Sequence, residues 1–449
     1  MTRPDVAAAS GTVSGLRYRA RPVTALRGAL TVPGDKSISH RALMLAGIAE
    51  GSTRIDGFLE SEDCLATLHA MRALGVAIDR PQPQVVDVQG AGMHGLKGSP
   101  APLDMGNAGT AMRLFAGLLA AQRFDSVLTG DASLMERPME RVATPLRAMG
   151  AVIETHSGRP PLRIRGGQRL HPVDYELPVA SAQLKSAILL AALYAEGVTA
   201  VTEPAVTRDH SERMLRAFGA DIAIQGRRVR LQGPAVLRGC RVEVPGDFSS
   251  AAFFIVAASL AAEGLLTIRN VGVNPTRTGL LEILRQMGAE IRLVNERSGG
   301  AEPVADLEIE RRELHGIVVP RALVPLAIDE FPALFIAAAC ASGETLVTGA
   351  EELRVKESDR IAVMAEGLNT LGIHAEVLAD GLRIRGGKMG GGRIDSHGDH
   401  RIAMAFAIAS ARASGALEIV DVANVATSFP GFVEIARQIG FDIESFVSS

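Results

Sequence analysis

Hydrophobic and polar positions along this chain form a pattern that returns six times. In each copy, a run of apolar residues at helical spacing ends in a short phrase built around one glycine. The glycines of the six phrases lie 75, 69, 69, 84 and 68 residues apart. A period this regular predicts one supersecondary unit copied six times. The phrases are RALGVAI (Arg72–Ile78), RAMGAVI (Arg147–Ile153), RAFGADI (Arg216–Ile222), RQMGAEI (Arg285–Ile291), NTLGIHA (Asn369–Ala375) and RQIGFDI (Arg437–Ile443).

The elements follow the same order within each copy. A turn of small or charged residues opens an Ala- and Leu-rich helix, and in most copies a Glu-Gly or Ser-Gly step then leads into a strand. A second helix runs into the glycine phrase, and one or two strands of alternating pattern complete the copy. Glycine suits the left-handed position at which a helix ends. The pattern therefore predicts a β-α-β-α-β-β module of about 70 residues.

The first helix of each module is apolar on all sides, as in AAFFIVAASLAA at residues 251–262. Such a helix must be buried all round, so we predict an α/β fold of two domains, each with three first helices inside a shell of strands. The domains are placed at residues 33–244 and at residues 1–32 with 245–449, joined by a hinge near residues 32–34 and 243–246. The strand Leu26–Val32 is expected to pair with the last module.

Composition narrows the range of functions. The 449 residues are 47% hydrophobic and 22% charged with a net charge of −3, which is typical of a soluble globular protein without a general attraction for nucleic acid or acidic membranes. The three cysteines are isolated, so neither a disulfide framework nor a structural zinc site is expected. The first 27 residues lack the apolar run of a secretory signal, which favours a cytoplasmic location.

The candidate chemistry lies where the buried helices begin. These openings are rich in Gly, Ser, Thr, Asn and Asp, which cap helices, and helix N-termini also attract anions. Capping does not explain the cations found there, because a cation on the positive end of a helix costs stability unless an anion binds. The residues left unexplained by capping are Lys36, Arg41, Arg113, Gln183, Lys185, His400 and Arg401.

Two further charged stretches contribute to the same prediction. Arg137 lies in a turn before a helix in GDASLMERPMERV, and Lys356, Glu357 and Arg360 lie together in ELRVKESDRI. Alone, each stretch is equally typical of a solvated surface. If the helix openings of both domains face one cleft, the cleft binds anions, and we expect its empty walls to repel each other until an anionic ligand draws them together.

Six motifs, in order, carry a resemblance to a known family: PGDKSISHRAL, NAGTAMR, ERPM, SAQLKSA, RVKESDR and GDHRIAM. From about Leu26 to its end, the chain resembles the 5-enolpyruvylshikimate-3-phosphate synthases (3-phosphoshikimate 1-carboxyvinyltransferases). The family fold is an inside-out α/β barrel of two domains with three βαβαββ units each. The resemblance implies transfer of the enolpyruvyl group of phosphoenolpyruvate to the 5-hydroxyl of shikimate 3-phosphate, with release of phosphate, on the pathway to chorismate and aromatic amino acids.

The resemblance also implies roles for individual residues. Asp329 would accept the 5-hydroxyl proton, Glu357 would give and take the proton at C3, and Lys36, Lys356 and His400 would assist. The residues implied for shikimate 3-phosphate, which the domain at 33–244 would mainly bind, are Lys36, Ser37, Arg41, Ser181, Ala182, Gln183, Arg208, Asp329 and Lys356. Those implied for phosphoenolpyruvate are Lys36, Asn107, Gly109, Arg137, Gln183, Arg360 and Arg401. No cofactor or metal is implied, and we expect a monomer.

Some positions depart from the family pattern, and two alternatives stay open. Thr427 stands where many members carry a lysine. The motifs GDKS, RDHSE, SAQLK and NPTR (Asn274–Arg277) together resemble the subgroup associated with tolerance of the inhibitor glyphosate, yet Gly109 is retained. One alternative is a UDP-N-acetylglucosamine enolpyruvyl transferase, although the Lys-Asn pair and loop cysteine of that family are missing. The other is a non-catalytic anion-binding relative, against which Asp329 and Glu357 count.

Overall fold

The computed structural model describes residues 15–447 and contains the six predicted units. The helices are α1 (Lys36–Ile48), α2 (Glu62–Ala73), α3 (Gly109–Leu119), α4 (Ala132–Met135), α5 (Glu140–Ala148), α6 (Ala182–Ala192), α7 (His210–Ala217), α8 (Phe248–Ala261), α9 (Gly279–Gln286), α10 (Val324–Ala327), α11 (Phe331–Cys340), α12 (Arg360–Thr370), α13 (His400–Ala409) and α14 (Phe432–Gln438). None of the helices between residues 15 and 447 combines the length and hydropathy needed to cross a bilayer.

Each unit carries one small sheet. The strands are β1 (Leu16–Arg21), β2 (Leu26–Thr31), β3 (Ser52–Asp56), β4 (Ala77–Gln82), β5 (Val85–Gln89), β6 (Leu103–Asp104), β7 (Ser126–Thr129), β8 (Val152–His156), β9 (Arg159–Arg165), β10 (Asp174–Glu176), β11 (Gly197–Thr202), β12 (Ile222–Gln225), β13 (Arg228–Gly233), β14 (Arg241–Glu243), β15 (Ala262–Gly272), β16 (Glu290–Gly299), β17 (Glu302–Glu310), β18 (Glu344–Val347), β19 (His374–Leu378), β20 (Gly381–Arg385), β21 (Gly392–Asp395), β22 (Leu417–Val420) and β23 (Asp442–Val447).

The sheets share one topology. Five have four strands, in the orders β14-β3-β5-β4, β6-β7-β9-β8, β10-β11-β13-β12, β2-β15-β17-β16 and β21-β22-β1-β23. The first two strands of each order are parallel and the remaining pairs are antiparallel. The fifth unit has three strands, β18-β20-β19, and completes the pattern with isolated parallel bridges from His315 and Val318. The predicted module is thereby confirmed.

The repeated glycine phrase is a joint between the second helix and the following strand. All six glycines have positive φ, between 83° and 109°, as the end of a helix at glycine requires. The long polar side chain three residues earlier donates a hydrogen bond to the carbonyl six residues further along. The donors and acceptors are Arg72 and Ile78, Arg147 and Ile153, Arg216 and Ile222, Arg285 and Ile291, Asn369 and Ala375, and Arg437 and Ile443, at 2.6–3.3 Å.

Two hydrophobic cores divide the chain. One is built from residues between Ile38 and Val244, and the other from residues between Tyr18 and Val32 together with residues between Phe248 and Ile443. In the second core, α8, α11 and α13 pack against one another, and every residue of α8 is buried. Helices α1, α3 and α6 form the corresponding core of the first. The two domains of three units are as predicted from the all-round apolar helices.

The prediction for the strand at Leu26–Val32 is wrong. Strand β2 runs parallel to β15 in the fourth unit, where Leu26 and Leu30 enter the core, and β1 fills the last unit between β22 and β23. The prediction failed because β1, a strand that was not predicted, occupies the position in the last unit that β2 was expected to take. The chain then crosses between the cores at residues 33–35 and 245–247, where Asp35 N–H donates to Pro245 O at 2.9 Å and Asp247 N–H donates to Pro33 O at 2.8 Å.

Candidate active site

Helix N-termini from both domains surround a cavity of about 70 Å³ between the two cores. Its lining residues are Lys36, Ser37, Asp63, Asn107, Gly109, Thr110, Arg113, Arg137, Arg141, Gln183, Arg208, Asp247, Arg277, Asp329, Val355, Lys356, Glu357, Arg360, His400 and Arg401. A neighbouring cavity of about 330 Å³ contacts Ser181, Ala182 and the apolar side chains of Val179 and Ile328. The two cavities share Gln183, Arg208, Asp329 and Lys356.

Lys36 enters the cavity from the first turn of α1. The Asp35 side chain caps this helix by accepting from Ile38 N–H at 2.9 Å, which leaves Lys36 as the first helical residue. The Lys36 ammonium lies 3.0 Å from Asp63 Oδ2, and both side chains are largely buried. Burial raises the pKa of the Asp63 carboxyl, although the charge of Lys36 opposes that rise.

Arg137 lies beside the start of α3. Its guanidinium donates to Asn107 Oδ1 at 2.5 Å and lies 3.3 Å from the Glu357 carboxylate of the opposite domain. Gly109 is the first residue of α3, and a Cβ added there would lie 2.8 Å from Arg137 Nη1 and 3.1 Å from Arg113 Nη1. Because Gly109 has no side chain, the guanidinium groups of Arg137 and Arg113 can lie this close to the start of α3.

Gln183 has a fixed orientation at the start of α6. Its Oε1 accepts from Arg113 Nη1 at 2.8 Å, and its Nε2 donates to Thr110 Oγ1 at 2.8 Å. Ser181 caps α6 by accepting from Leu184 N–H at 3.3 Å. Burial, with the nearby positive charges, lowers the pKa of Arg113 to about 9. This wall thus presents amide, hydroxyl and guanidinium groups whose geometry is set by neighbouring side chains.

Asp329 lies at the centre of the second domain's wall. Its carboxylate pairs with Arg208, and Lys356 Nζ lies 3.3 Å from Oδ1. Burial alone would raise the pKa of Asp329, but the surrounding cations, led by Arg208 and Lys356, outweigh it and hold this pKa well below its usual range. The Arg401 guanidinium donates to the backbone carbonyl of Asp329 at 2.9 Å. Asp329 is therefore an ionised carboxylate held on several sides by cations.

Glu357 is the second carboxylate of the same wall. It accepts from Arg360 Nη2 at 2.5 Å, and Arg360 is fixed from behind by Asp399, whose Oδ2 lies 2.8 Å from Arg360 Nε. Burial raises the pKa of Glu357, but Arg360 and Arg137 together hold it well below its usual range. The Glu357 carboxylate is thus ionised between two guanidinium groups.

His400 is a neutral group in this setting. It opens α13 after the cap residue Asp399, and only 3% of it is exposed. Burial, followed by the charge of Lys36, holds the pKa of His400 well below 6.5. Among the described residues, its Nε2 atom has no hydrogen-bond partner. The imidazole can therefore donate or accept a hydrogen bond in the cleft without adding charge.

The expectation that the empty walls repel each other is wrong. Ion pairs join the two walls, because the second domain contributes acids as well as cations. Among the described residues they include Arg137 with Glu357 (3.3 Å), Arg141 with Glu352 (3.1 Å), Arg208 with Asp329, and Arg277 with Asp35 (2.7 Å). The carboxylates of Glu352, Glu357 and Asp329 in the second domain face cations of the first domain, so the walls attract each other.

Arg41 lies behind the cavity wall. Its guanidinium donates to Ser211 Oγ at 2.7 Å, to Ser186 Oγ at 2.8 Å and to the carbonyl of Ser37 at 2.9 Å. Arg41 is 5% exposed and is not among the residues that line either cavity. In this structure it joins α1 to α6 and α7 and fixes the backbone at Ser37.

Lys185 does not face the cleft, so its interpretation as a ligand-binding cation is wrong. Its ammonium lies 2.9 Å from Glu203 and 2.7 Å from Glu212, and all three side chains are at most 3% exposed. Lys185 follows Gln183 by two residues, which turns it to another face of α6. The positive charge of Lys185, which helix capping does not explain, is therefore compensated by buried glutamates.

Sequence reasoning missed several groups of the site. Asp63, Thr110, Arg141 and Arg277 all line the cavity. Asp63 gave no distinct signal, because acids in the first turn of a helix are common. The sequence marks Arg277 only as the last residue of NPTR and gives no sign that it reaches the cavity. Across residues 15–447, no three His, Cys, Asp or Glu side chains form a group that could hold a metal ion.

Comparison with known proteins gives a consistent result. A family model described as EPSP synthase (3-phosphoshikimate 1-carboxyvinyltransferase) matches residues 20–435. The chain is 63% identical over 427 residues to the 3-phosphoshikimate 1-carboxyvinyltransferase of Alkalilimnicola ehrlichii, covering 95% of this chain and 96% of that one, and 60% identical to that of Methylococcus capsulatus, covering 95% and 98%. A structure of EPSP synthase from Acinetobacter baumannii matches with a TM-score of 0.86 at 55% identity, covering 96% of this chain and all of that one.

Proposed function

The chain belongs to the EPSP synthase family, and on that premise we propose how its cleft residues divide the reaction. Relatives that are 55–63% identical over nearly the whole chain carry the name 3-phosphoshikimate 1-carboxyvinyltransferase. The chain is an enzyme of that activity in the shikimate pathway, and it transfers the enolpyruvyl group of phosphoenolpyruvate to shikimate 3-phosphate. The assignments that follow concern individual residues.

Shikimate 3-phosphate is assigned to the first domain's wall and the neighbouring cavity. Ser181 and Gln183 are positioned at the start of α6, and Arg208 faces the same cavity. A helix N-terminus with hydroxyl and guanidinium donors suits a phosphate group. Ser37 and the backbone at Ala182 complete this assignment. Arg41 supports it from behind, through its bond to the Ser37 carbonyl.

Phosphoenolpyruvate is assigned to the cations around the central cavity. Arg137, Arg360 and Arg401 offer planar forks that match phosphate and carboxylate oxygens in pairs. Lys36 and the start of α3 at Asn107–Gly109 border the same space. The substrate carries both a phosphate and a carboxylate, so this cluster of guanidinium groups supplies its counter-charge.

Addition comes first in the proposed sequence. Asp329 takes the proton of the 5-hydroxyl while that oxygen forms a bond to C2, and protonated Glu357 gives its proton to C3 of phosphoenolpyruvate. In the elimination, Glu357 takes a proton back from C3, the C2–O bond to phosphate breaks, and the electron pair leaves with the phosphate. Lys36 and Lys356 stabilise the developing negative charge, and His400 lies close enough to assist as a neutral hydrogen-bonding group.

The position of Glu357 explains how it can serve both as acid and as base. Without substrate, Arg137 and Arg360 keep it ionised. Phosphoenolpyruvate draws on the same two guanidinium groups, which weakens their hold on the carboxylate and raises the pKa of Glu357. We therefore expect the ternary complex to bind a proton from solvent as it forms. Calorimetry in buffers of different ionisation enthalpy measures that proton directly.

The single observation that carries these assignments is the pairing of two partly buried carboxylates, Asp329 and Glu357, with several cations around one cavity. The test is phosphate release from phosphoenolpyruvate by the purified protein, with shikimate 3-phosphate or UDP-N-acetylglucosamine as acceptor. Release only with shikimate 3-phosphate is expected. Release with the nucleotide sugar would favour the related transferase, and release with neither acceptor would favour a binding protein.

Further properties are proposed on the same basis. The domains are residues 33–244 and residues 1–32 with 245–449, of which residues 1–14 and 448–449 lie outside the described residues. They close about the two segments in which the chain crosses between the domains, near residues 32–34 and 243–246. Backbone hydrogen bonds join these two segments to each other. Small-angle scattering with and without shikimate 3-phosphate tests the closure. Glyphosate, with its phosphonate and carboxylate, competes for the same guanidinium groups, and the enzyme works as a cytoplasmic monomer.

A further inference from the structure

The turn Asn274–Arg277, between β15 and α9, makes an unusual set of contacts. Arg277 is 3% exposed, and its guanidinium lies 2.7 Å from Asp35 of the first domain and 2.6 Å from Asp247 of the second. These two aspartates cap the first helices α1 and α8. One side chain thus joins the helix caps on both sides of the chain crossings.

The contacts of Arg277 lead to residues adjacent to proposed catalytic groups. Asp35 directly precedes Lys36. The Arg277 guanidinium also donates to Ser249 Oγ at 2.7 Å, and the Ser249 hydroxyl bonds the carboxylate of Glu330, which directly follows Asp329. Arg277 therefore connects the backbone at Lys36 with the backbone at Asp329 through buried polar and charged side chains.

The other residues of the turn reach a third site segment. Asn274 Nδ2 donates to Asp209 Oδ1 at 2.7 Å, and the hydroxyl of Thr276 accepts from Asp209 N–H at 3.3 Å. Asp209 directly follows Arg208. Asn274 also donates to Glu302, which in turn bonds His210 at 2.8 Å. The turn, which belongs to the second domain, thus fixes the position of the Arg208 segment of the first domain.

We propose that the turn Asn274–Arg277 sets the register of the active site, with Arg277 as a positioning residue that fixes Lys36 relative to Asp329. The proposal rests on the roles assigned to those residues above. A guanidinium fork is planar and bonds in fixed directions, so it transmits position more rigidly than a lysine ammonium does. Because the turn lies at the chain crossings, it keeps these contacts while the outer parts of the domains approach each other.

The experiment compares Arg277→Lys, which keeps the charge but loses the fork, with Thr276→Val, which removes only the hydroxyl. The control is Arg292→Lys, since Arg292 is half exposed on β16 and pairs, among the described residues, with the partly exposed Glu308 and Glu310. For each protein, kcat and KM are measured by phosphate release, shikimate 3-phosphate affinity by calorimetry, and folding by thermal unfolding.

We expect Arg277→Lys to lower kcat by about 10- to 100-fold, because a small misplacement of reacting groups is costly, with the affinity for shikimate 3-phosphate changed by less than about threefold. Thr276→Val should raise KM for shikimate 3-phosphate by about threefold, with kcat nearly unchanged, because only the Arg208 segment is loosened. The control should match the wild-type protein.

Folded Arg277→Lys with wild-type kcat would overturn the proposal, as would a lowered melting temperature with unchanged kcat, since that is a purely structural role. If Arg277→Lys does not fold, the KM of Thr276→Val decides, and an unchanged KM contradicts the register role. An inactive wild-type protein would instead overturn the proposed function, so the two failures are distinguishable.

Discussion

The two walls of the cleft are built from the same repeated unit but carry different chemistry. The first domain presents amide, hydroxyl and cationic groups. Among the described residues, Asp63 is the one acid that this domain contributes to the cavity lining, and it pairs with Lys36. The second domain alternates carboxylates with cations, as at Asp329, Lys356 and Glu357. This difference supports the proposal that one wall mainly binds anions, while the other also moves protons.

The largest effect is expected from Asp329→Asn, which removes a proton acceptor from the second wall. Loss of general base catalysis should lower kcat by about 10²- to 10⁴-fold. Binding of shikimate 3-phosphate should persist, because Arg208 is then free of its partner. Steady-state phosphate release and calorimetry measure the two quantities. The control, Asp442→Asn, alters an exposed carboxylate and should have wild-type activity; equal loss in both variants would contradict the assignment.

Arg137→Lys tests the binding wall. The change removes the fork that contacts Asn107 and Glu357, and losing one charge-assisted hydrogen bond costs about 1.5–3 kcal/mol. KM for phosphoenolpyruvate should rise by about 10- to 100-fold, with a smaller change in kcat. Arg159→Lys, at an exposed position of β9, is the matched control. A fall in kcat at unchanged KM would place Arg137 in the chemistry instead of in binding.

Gly109→Ala tests the same wall more gently. The new Cβ meets the ends of two arginine side chains, which are flexible enough to move by a few tenths of an ångström. We expect KM for phosphoenolpyruvate to rise by less than about tenfold and the inhibition constant of glyphosate to rise further, since a misplaced Arg137 weakens both. Gly387→Ala, where the nearest atom is 3.6 Å away, is the control. Unchanged constants for both ligands would contradict the crowding.

The smallest effect concerns one buried histidine in each domain. Burial lowers the pKa of His40 on α1 to about 3 and holds that of His400 well below 6.5. The unfolded chain therefore binds these protons first, so stability is present above pH 6.5 and falls as the pH decreases, by up to about 1.4 kcal/mol per pH unit for each histidine. Denaturant unfolding between pH 7 and 5 measures this slope.

Replacement of each histidine in turn shows which one causes the loss of stability at low pH. His40→Gln and His400→Gln should each remove about one proton from the pH dependence of unfolding. Replacing His171, which is exposed, should leave the dependence unchanged. A slope that neither buried replacement alters would mean that other groups account for the acid sensitivity.

The sequence predicted the fold well because its signals are local and repeated. Each glycine phrase marks a helix end, and the apolar first helices require burial all round. The strand β1 was not predicted because its alternation is short, so the open position in the last unit was attributed to β2 instead. Pairing between strands distant in the chain, such as β2 with β15, depends on tertiary packing that no local pattern records.

The site was predicted less completely, for a physical reason. Residue type at a helix start identified Lys36, Gln183, His400 and Arg401, which do line the cavity. It did not distinguish them from Lys185, which a turn of α6 carries to buried glutamates. The direction of a side chain depends on its neighbours in space.

The most direct test of the division between the walls is Glu357→Gln. We predict that both substrates still bind, that phosphate release falls by about 10²-fold or more, and that the proton uptake on forming the ternary complex disappears. Phosphate release near the wild-type rate, or undiminished proton uptake, would contradict this prediction.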